Sequence, residues 1–187
     1  GYSQREAAQP TTFTFSNLGS KWNFNWLGWI EDNPTNTLAD VYYRAEGGGT
    51  KPFTDFNSAS QAFSRELRSQ AQLTRTGADS YRMDFPDGSS KVFSQSDGSI
   101  GSIRRVFLTE IIDPRGNSIT LDYDVNLRLT TLTDEIGQIT TLYYEDQNDI
   151  YKITKVADPF GREAVFGYDS SGRLNSITDV INLNSTF

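Results

Sequence analysis

The stretch that decides the fold is DPFGREAVFGYDSSGRLNSITD, residues 158–179. It opens with an Asp-Pro-x-Gly turn, in which proline presets φ, aspartate bonds its own backbone and glycine accepts positive φ. Residues 164–168 then alternate, so that every second side chain points to the same face. Tyr-Asp-Ser-Ser-Gly at 168–172 is typical of a hairpin loop, and a second strand returns to Asp179. The stretch therefore predicts one β-hairpin.

The same pattern recurs through residues 103–187, in four copies of the turn and three of a tyrosine ten residues after its aspartate. The turn residues are Asp113, Gly116, Asp134, Gly137, Asp158, Gly161, Asp179 and Asn182, and the repeat tyrosines are Tyr123, Tyr144 and Tyr168. The steps between aspartates are 21, 24 and 21 residues, which indicates a three-residue insertion within 145–151. We expect the three glycines to adopt positive φ or another conformation that is unfavourable for residues with a Cβ. A lone hairpin cannot bury its face, so the pattern predicts antiparallel hairpins paired into an open, curved all-β sheet.

Two stretches fit a plain strand less well. The return strand carries Leu174 and Ile177 three residues apart, which predicts a β-bulge or a strand whose two faces are both partly covered. Residues 58–68 are the one stretch whose composition suits a helical turn or two. Even so, the sequence predicts at most one short helix.

Composition excludes several classes of function. The chain has no Cys and no His, which removes the usual zinc sites, the Ser-His-Asp triad and the Cys-His pair. Its net charge of −7 argues against a nucleic-acid partner, which would require clustered Lys and Arg. No apolar run reaches the length of a membrane span. We predict no cofactor and no catalytic site.

With this repeat, the chain resembles the YD-repeat family, also called the rearrangement-hotspot or Rhs family. The Tyr-Asp pair occurs at Tyr123-Asp124 and Tyr168-Asp169, with Tyr144-Glu145 as a departure, and residues 158–179 resemble a full repeat. Residues 1–102 resemble the segment that precedes the repeats: Leu18-Gly19-Ser20-Lys21-Trp22 matches its Leu-Gly-x-x-Trp motif. We therefore divide the chain into a Trp-rich pre-repeat β region, 1–102, and YD repeats, 103–187.

The resemblance implies a long β-ribbon that spirals into a hollow shell. In bacterial members the shell encloses a toxic C-terminal domain, and in animal teneurins it belongs to an adhesion receptor. The implied partners are the rest of a parent shell and its enclosed domain, and the implied location is extracellular or at the cell surface. The self-cleavage motif of the family has no match here. The resemblance thus predicts a non-enzymatic structural module.

The end of the chain carries a separate expectation. Phe187 fills the apolar position eight residues after Asp179 and stands two residues short of the next repeat tyrosine. This pattern predicts a fragment that stops within a hairpin. Residues 180–187 contain no charge and no Pro, so we expect this edge either to associate with another chain or to be disordered.

Three sets of residues suggest alternative functions. Trp22, Trp26 and Trp29 are candidates for stacking on glycans in an adhesion module, with Trp22, Phe24 and Trp26 on one strand face, although large rings are more often core residues. The repeated aspartates could serve glycoside hydrolysis, but their fixed offset from glycine favours turns. Asp122-x-Asp124-x-Asn126 imitates a calcium loop, yet Leu127 and Thr133 replace its essential Gly and Glu. We predict no metal site.

Overall fold

The computed structural model describes residues 13–187, and within that range the chain has fourteen β-strands and no helix. The all-β, antiparallel prediction is confirmed: the pairings among these fourteen strands are all antiparallel, and the strands form one open sheet. The strands are β1 (Trp29–Asp32), β2 (Val41–Arg44), β3 (Thr50–Phe53), β4 (Gln72–Gly77), β5 (Ser80–Asp84), β6 (Ser90–Ser96), β7 (Arg104–Ile112), β8 (Ser118–Tyr123), β9 (Leu129–Thr133), β10 (Ile139–Tyr143), β11 (Lys155–Ala157), β12 (Glu163–Tyr168), β13 (Leu174–Thr178) and β14 (Asn184–Thr186).

Strand β7 is the branch point of the sheet. Residues 104–107 pair with β1, which continues to β2 and β3, whereas residues 110–112 pair with β8. The other edge of β7 pairs with β6, the last strand of the β4–β5–β6 meander. Register shifts near Phe93 mark bulges in this long pairing. A nine-residue strand can serve two neighbours on one edge because each uses only about half of it.

By compactness the described chain divides into two units, and each has its own core. The first is Asn25–Thr120, which contains β1 to β7. Alternate residues of its strands point inward, as in β5, where Tyr81 and Met83 are buried and their neighbours are partly exposed. Its most completely buried side chains are Ile30, Val41, Phe53, Leu73, Tyr81, Met83, Phe93, Val106, Phe107 and Leu108.

The second unit joins residues up to Phe24 with Leu121–Phe187, the repeat hairpins. In β9 both Leu129 and Leu132 are buried although they lie three apart, so both faces of this strand are covered. In β12 a register shift occurs between Gly167 and Tyr168. Both arrangements that the three-residue spacing predicts, a strand covered on its two faces and a β-bulge, therefore occur in the structure.

An N-terminal segment lies against these hairpins. The N–H of Asn17 donates to the carbonyl of Tyr151 at 3.0 Å, and the N–H of Ile153 donates to the carbonyl of Asn17 at 2.9 Å. Gly19 approaches the repeat region so closely that a Cβ on it would lie 3.0 Å from the carbonyl oxygen of Gly172. Part of the predicted pre-repeat region therefore packs with the repeats. The boundary between residues 102 and 103, a division by sequence character, stays a prediction.

Three local expectations are corrected. Residues 22–26 are not a strand: only Trp22 forms a bridge, and a turn at 25–26 ends the extended path before β1. Residues 58–68 are turns and coil rather than helix, closed by hydrogen bonds between Asn57 and Ala62 and between Glu66 and Gln70. Residues 179–187 form a turn and β14, so a disordered end is wrong; the N–H of Phe187 bonds the carbonyl of Asn175 at 3.0 Å.

Candidate functional site

One turn geometry occurs six times in the hairpins. In each copy the aspartate N–H donates to the carbonyl four residues on, the N–H three residues on returns to the aspartate carbonyl, and Oδ1 accepts two further N–H groups. All of these distances lie between 2.8 and 3.1 Å. The turns begin at Asp113, Asp124, Asp134, Asp158, Asp169 and Asp179. The loop after the Tyr-Asp pair therefore has the same geometry as the Asp-x-x-Gly turn. The sequence pattern predicts two different turns for these loops.

The fourth residue of every copy has positive φ. The predicted positions Gly116, Gly137, Gly161 and Asn182 have φ of 94°, 81°, 77° and 63°. Two positions that the sequence reasoning missed behave likewise, Gly172 at 73° and Leu127 at 62°. Leucine is rarely found in this region because its Cβ crowds the following carbonyl. The missed signal was the alignment of Asp124-x-x-Leu127-Arg128 with Asp169-x-x-Gly172-Arg173.

Four of the six turn aspartates have hydrogen-bond partners on both carboxylate oxygens: Asp113, Asp124, Asp158 and Asp169. The second oxygen of Asp169 accepts from the Nε and Nη2 of Arg173, both at 2.8 Å, and Arg128 and Arg162 repeat this pairing with their own turn aspartates. Hydrogen bonds from the backbone and side chain of Arg173 hold the pKa of Asp169 below its usual range, and the side-chain amide of Asn117 lowers that of Asp113. A carboxylate that is kept ionised is a poor general acid. These groups are suited to structure.

The repeat tyrosines bond the backbone of the preceding hairpin. The hydroxyl of Tyr144 donates to the carbonyl of Leu129 at 2.7 Å, and that of Tyr168 donates to the carbonyl of Ile153 at 2.6 Å. Both partners lie fifteen residues earlier, five before the turn aspartate. Burial raises the pKa of each phenol well above its usual value. Tyr123 ends β8 in the equivalent position and is half-buried.

A buried lysine that the sequence pattern did not single out, Lys152, directly follows the insertion predicted at 145–151. The side chain of Lys152 is only 7% exposed, with Nζ 3.5 Å from Asp149, 3.8 Å from Asp146 and 4.9 Å from the centre of the Tyr168 ring. It lines a cavity of about 330 Å³ together with Asn17 and backbone near Gly172. The two carboxylates offset the lysine charge. We read this cluster as the means by which the insertion packs.

The three tryptophans do not form one exposed platform. All are partly buried: Trp22 packs on Phe187 at 5.3 Å between ring centres, and Trp29 packs on Phe107 at 5.9 Å. Trp22 and Trp29 belong to different compact units, and Trp26 lies in a turn. The indole Nε1 of Trp29 donates to the carboxylate of Glu31 at 3.1 Å. Of the three, Trp29 lies in a strand, β1.

A cleft beside β1 and β2 was not foreseen from the sequence. It has a volume of about 530 Å³, and Tyr42, whose side chain is 44% exposed, forms part of its wall. Glu31, held by Trp29 and by Arg44 at 2.8 Å, lies opposite Tyr42 in the β1–β2 register. The other lining residues are Asp32, Asn33, Ala39, Asp40, Arg44, Ser102 and Ile103. The sequence signal for it was weak, since the loop at 33–40 shows no motif.

In the stretch that imitates a calcium loop, residues 122–126, the two aspartates make other hydrogen bonds. Asp124 caps its turn, and Asp122 accepts a hydrogen bond from the hydroxyl of Thr131 at 2.9 Å. Among residues 13–187, no group of three or more carboxylate, His or Cys side chains is placed to hold a metal ion.

No protein-family model matches the sequence, and a search of curated proteins gives no significant match. In the part of the chain that the structure describes, no helix is long and apolar enough to cross a membrane.

Proposed function

We propose that this chain is a non-enzymatic structural module, a stretch of β-wall of the YD-repeat (Rhs) type. The observation that carries the proposal is the single turn geometry that recurs at both ends of the hairpins. Apart from the insertion between β10 and β11, the same turn joins successive strands from β7 to β14. A unit of this kind is suited to extending a sheet by addition, because each new hairpin meets an edge like the previous one.

The use of the polar side chains supports the same proposal. In the repeats, turn carboxylates accept backbone N–H groups, and the hydroxyls of Tyr144 and Tyr168 donate to backbone carbonyls. Groups that could otherwise act as acids, bases or nucleophiles thus hold the main chain in place. A wall needs this arrangement, whereas an active site needs groups that are aimed at a substrate.

The partners and location follow from the sequence resemblance. By that resemblance the wall would continue into the rest of a shell and surround a C-terminal domain, outside the cell or at its surface. Its work would be enclosure: keeping an internal domain away from proteases and targets until release.

Electron microscopy of the full gene product tests enclosure. We expect a hollow particle with density inside it, and protection of the internal domain from added trypsin while the wall is intact. A solid or rod-like particle, or a gene product too small to surround anything, contradicts the proposal.

A second experiment tests the non-enzymatic assignment: the purified chain should not hydrolyse glycoside, ester or peptide substrates. Turnover that is lost on Asp122→Asn would overturn the non-enzymatic assignment.

A further inference from the structure

A short segment ahead of the first strand, residues 15–19, is buried in the same compact unit as the repeats. We call it the strap. Ser16 is 1% exposed and Asn17 is 3% exposed, so both polar side chains need hydrogen-bond partners. In sequence the whole unit Asn25–Thr120 lies between the strap and the repeats. The strap therefore meets the repeats much as a separate peptide would.

The main chain of the strap adds to an edge of the repeats at Asn17. Its N–H donates to the carbonyl of Tyr151 at 3.0 Å, and its carbonyl accepts from the N–H of Ile153 at 2.9 Å. This bridge is parallel, whereas the pairings among the fourteen strands are antiparallel. Extended peptides add to a sheet edge in this way: the main chain supplies affinity, and the side chains supply selectivity.

The insertion at 145–151 is what provides this edge. The register of β10 with β11 ends at Tyr143 and Lys155, and residues 151–153, directly after the insertion, pair with the strap instead. An interruption of the regular ribbon thus becomes a place where another segment docks.

The hydroxyl of Ser16 acts as donor and acceptor at once. Because the hydroxyl of Tyr144 donates to the carbonyl of Leu129, the 2.7 Å bond between Ser16 and Tyr144 takes its proton from Ser16. Ser16 Oγ also accepts from the N–H of Leu129 at 2.7 Å. Alanine at this position would leave that buried N–H without its partner, which costs more than the loss of an exposed hydrogen bond. The edge therefore selects for a hydroxyl here.

The next two strap positions are equally restricted. Nδ2 of Asn17 donates to the carbonyl of Tyr151 at 3.2 Å and to that of Phe15 at 3.3 Å, while Oδ1 accepts from the N–H of Gly19 at 2.9 Å. The last two bonds lie within the strap and favour its bound shape, which lowers the entropy cost of docking. Gly19 has a φ of 82°, and a Cβ on it would lie 3.0 Å from the carbonyl oxygen of Gly172.

We propose that residues 151–153, with Leu129 and Tyr144 beside them, form a peptide-binding slot for the sequence Phe-Ser-Asn-Leu-Gly, and that the slot takes this sequence from a second copy of the chain as well as from its own. Residues 20–28 contain turns and no strand, so the strap is not continuous with β1. Exchange of such an element between two copies keeps the contacts that it makes within one copy, so its cost in free energy is low.

Fluorescence anisotropy tests the proposal with a fluorescein-labelled peptide of residues 13–20, which stands in for the strap of a second copy. Its target is the full chain with Ser16→Ala and Asn17→Ala, the strap-weakened chain, whose own strap leaves the slot more readily. We expect saturable binding, and binding at least about tenfold weaker to the parent chain, because the parent strap competes for the slot. A peptide with the same two alanines should bind the strap-weakened chain at least about tenfold less tightly, since several hydrogen bonds are lost.

Two tyrosine substitutions in the strap-weakened chain locate the bound peptide. Tyr144→Phe removes the hydroxyl that bonds Ser16 and should weaken binding about three- to tenfold, the scale of one hydrogen bond. Tyr42→Phe is the matched control, because Tyr42 lies in the other compact unit, and it should leave binding unchanged. Circular dichroism checks folding. If the double variant does not fold, Ser16→Ala alone replaces it, and the parent chain at higher peptide concentration gives the same comparisons.

A capture experiment tests the second copy. The tagged strap-weakened chain should retain an untagged parent chain, and excess free peptide should abolish that capture, whereas association through β14 would survive the peptide. The inference is overturned if the folded chain does not bind the peptide, if the alanine peptide binds equally well, or if Tyr144→Phe has no effect. Capture that is absent or that withstands the peptide overturns the exchange between copies. These outcomes are independent of whether the chain forms a shell.

Discussion

The meander of β4 to β7 and the hairpins of β9 to β13 are both built from antiparallel strands, yet different parts of the sequence stabilise them. In the meander, aromatic and aliphatic side chains such as Tyr81, Met83 and Phe93 are at most 1% exposed. In the repeats, β10 and β13 each bury a single leucine, Leu142 and Leu174, and the turns and tyrosine hydroxyls add regular hydrogen bonds. The comparison separates two designs: a sheet specified by its core and a sheet specified by its turns.

The largest expected effect lies in the core of the meander. Phe93 is fully buried and packs edge-on against Tyr43 at 5.7 Å, so Phe93→Ala should cost about 3–5 kcal/mol of unfolding free energy. Phe160→Ala, at an exposed repeat turn, should stay within about 0.5 kcal/mol. Urea denaturation followed by circular dichroism measures both. Equal losses at the two sites would remove the distinction between the designs.

The next effect concerns the buried Tyr81 hydroxyl, which donates to Asp32 at 2.6 Å. At neutral pH, Tyr81→Phe should cost about 1.5–3 kcal/mol, since it removes a hydrogen bond to a charged group. Burial, with the hydrogen bond to Asp32, raises the pKa of Tyr81 to about 12. An unfolded tyrosine ionises near pH ~10. This difference between the folded and unfolded pKa of Tyr81 stabilises the folded state fully below pH ~10. The stabilisation is lost as the pH rises to about 12, at roughly 1.4 kcal/mol per pH unit.

Urea midpoints at pH ~8 and at two values between pH ~10 and ~12 check the sign. The parent chain should lose stability more steeply than Tyr81→Phe in that window. Burial also raises the pKa of Tyr43, Tyr144 and Tyr168, so some decline should remain in the variant. Identical slopes for parent and variant would contradict the assigned shift.

Opposite substitutions at two turn positions, Gly161 and Leu127, test the turns. A Cβ on Gly161 meets nothing within 4 Å, so Gly161→Ala should cost about 1–2 kcal/mol through its φ of 77° alone. Gly161→Val should cost about 1–3 kcal/mol. Leu127→Gly, at the same turn position, should gain up to about 1 kcal/mol. Gly101→Ala is the control, because Gly101 is equally open but lies outside the left-handed region. A destabilised Leu127→Gly variant would show that its side-chain packing outweighs strain.

The smallest effect on stability is expected at the sheet edge. β14 pairs only with β13 among the described strands, and residues 180–187 are all exposed. We expect the chain to associate through this open edge, which has no charge to protect it. Thr186→Lys should change unfolding free energy by less than about 0.5 kcal/mol while suppressing association in sedimentation velocity runs. A parent chain that stays monomeric at high concentration would rule the association out.

The sequence was most informative where structure is local. An Asp-x-x-Gly turn is fixed by its own four or five residues, so its positive φ at Gly116, Gly137 and Gly161 could be predicted. Alternation likewise predicted the strands. Residues 17–22 instead make distant contacts, such as the approach of Gly19 to Gly172, which no local pattern specifies. Alternating aromatics at 22–26 suggested a strand that does not form. The cleft needs the β1–β2 register and a loop without a motif, which no local pattern specifies.

The shared geometry of the Asp-x-x-Gly turn and the loop after the Tyr-Asp pair has a mechanical consequence. Because the turns at Asp158, Asp169 and Asp179 share one geometry, the elementary unit of the ribbon is a single strand with its turn, ten or eleven residues long. Tension applied at Phe187 across the strands would therefore peel them off in sequence, and each release would lengthen the chain by about 35 Å. An optical trap would see a staircase of nearly equal steps, interrupted by a longer one at the insertion.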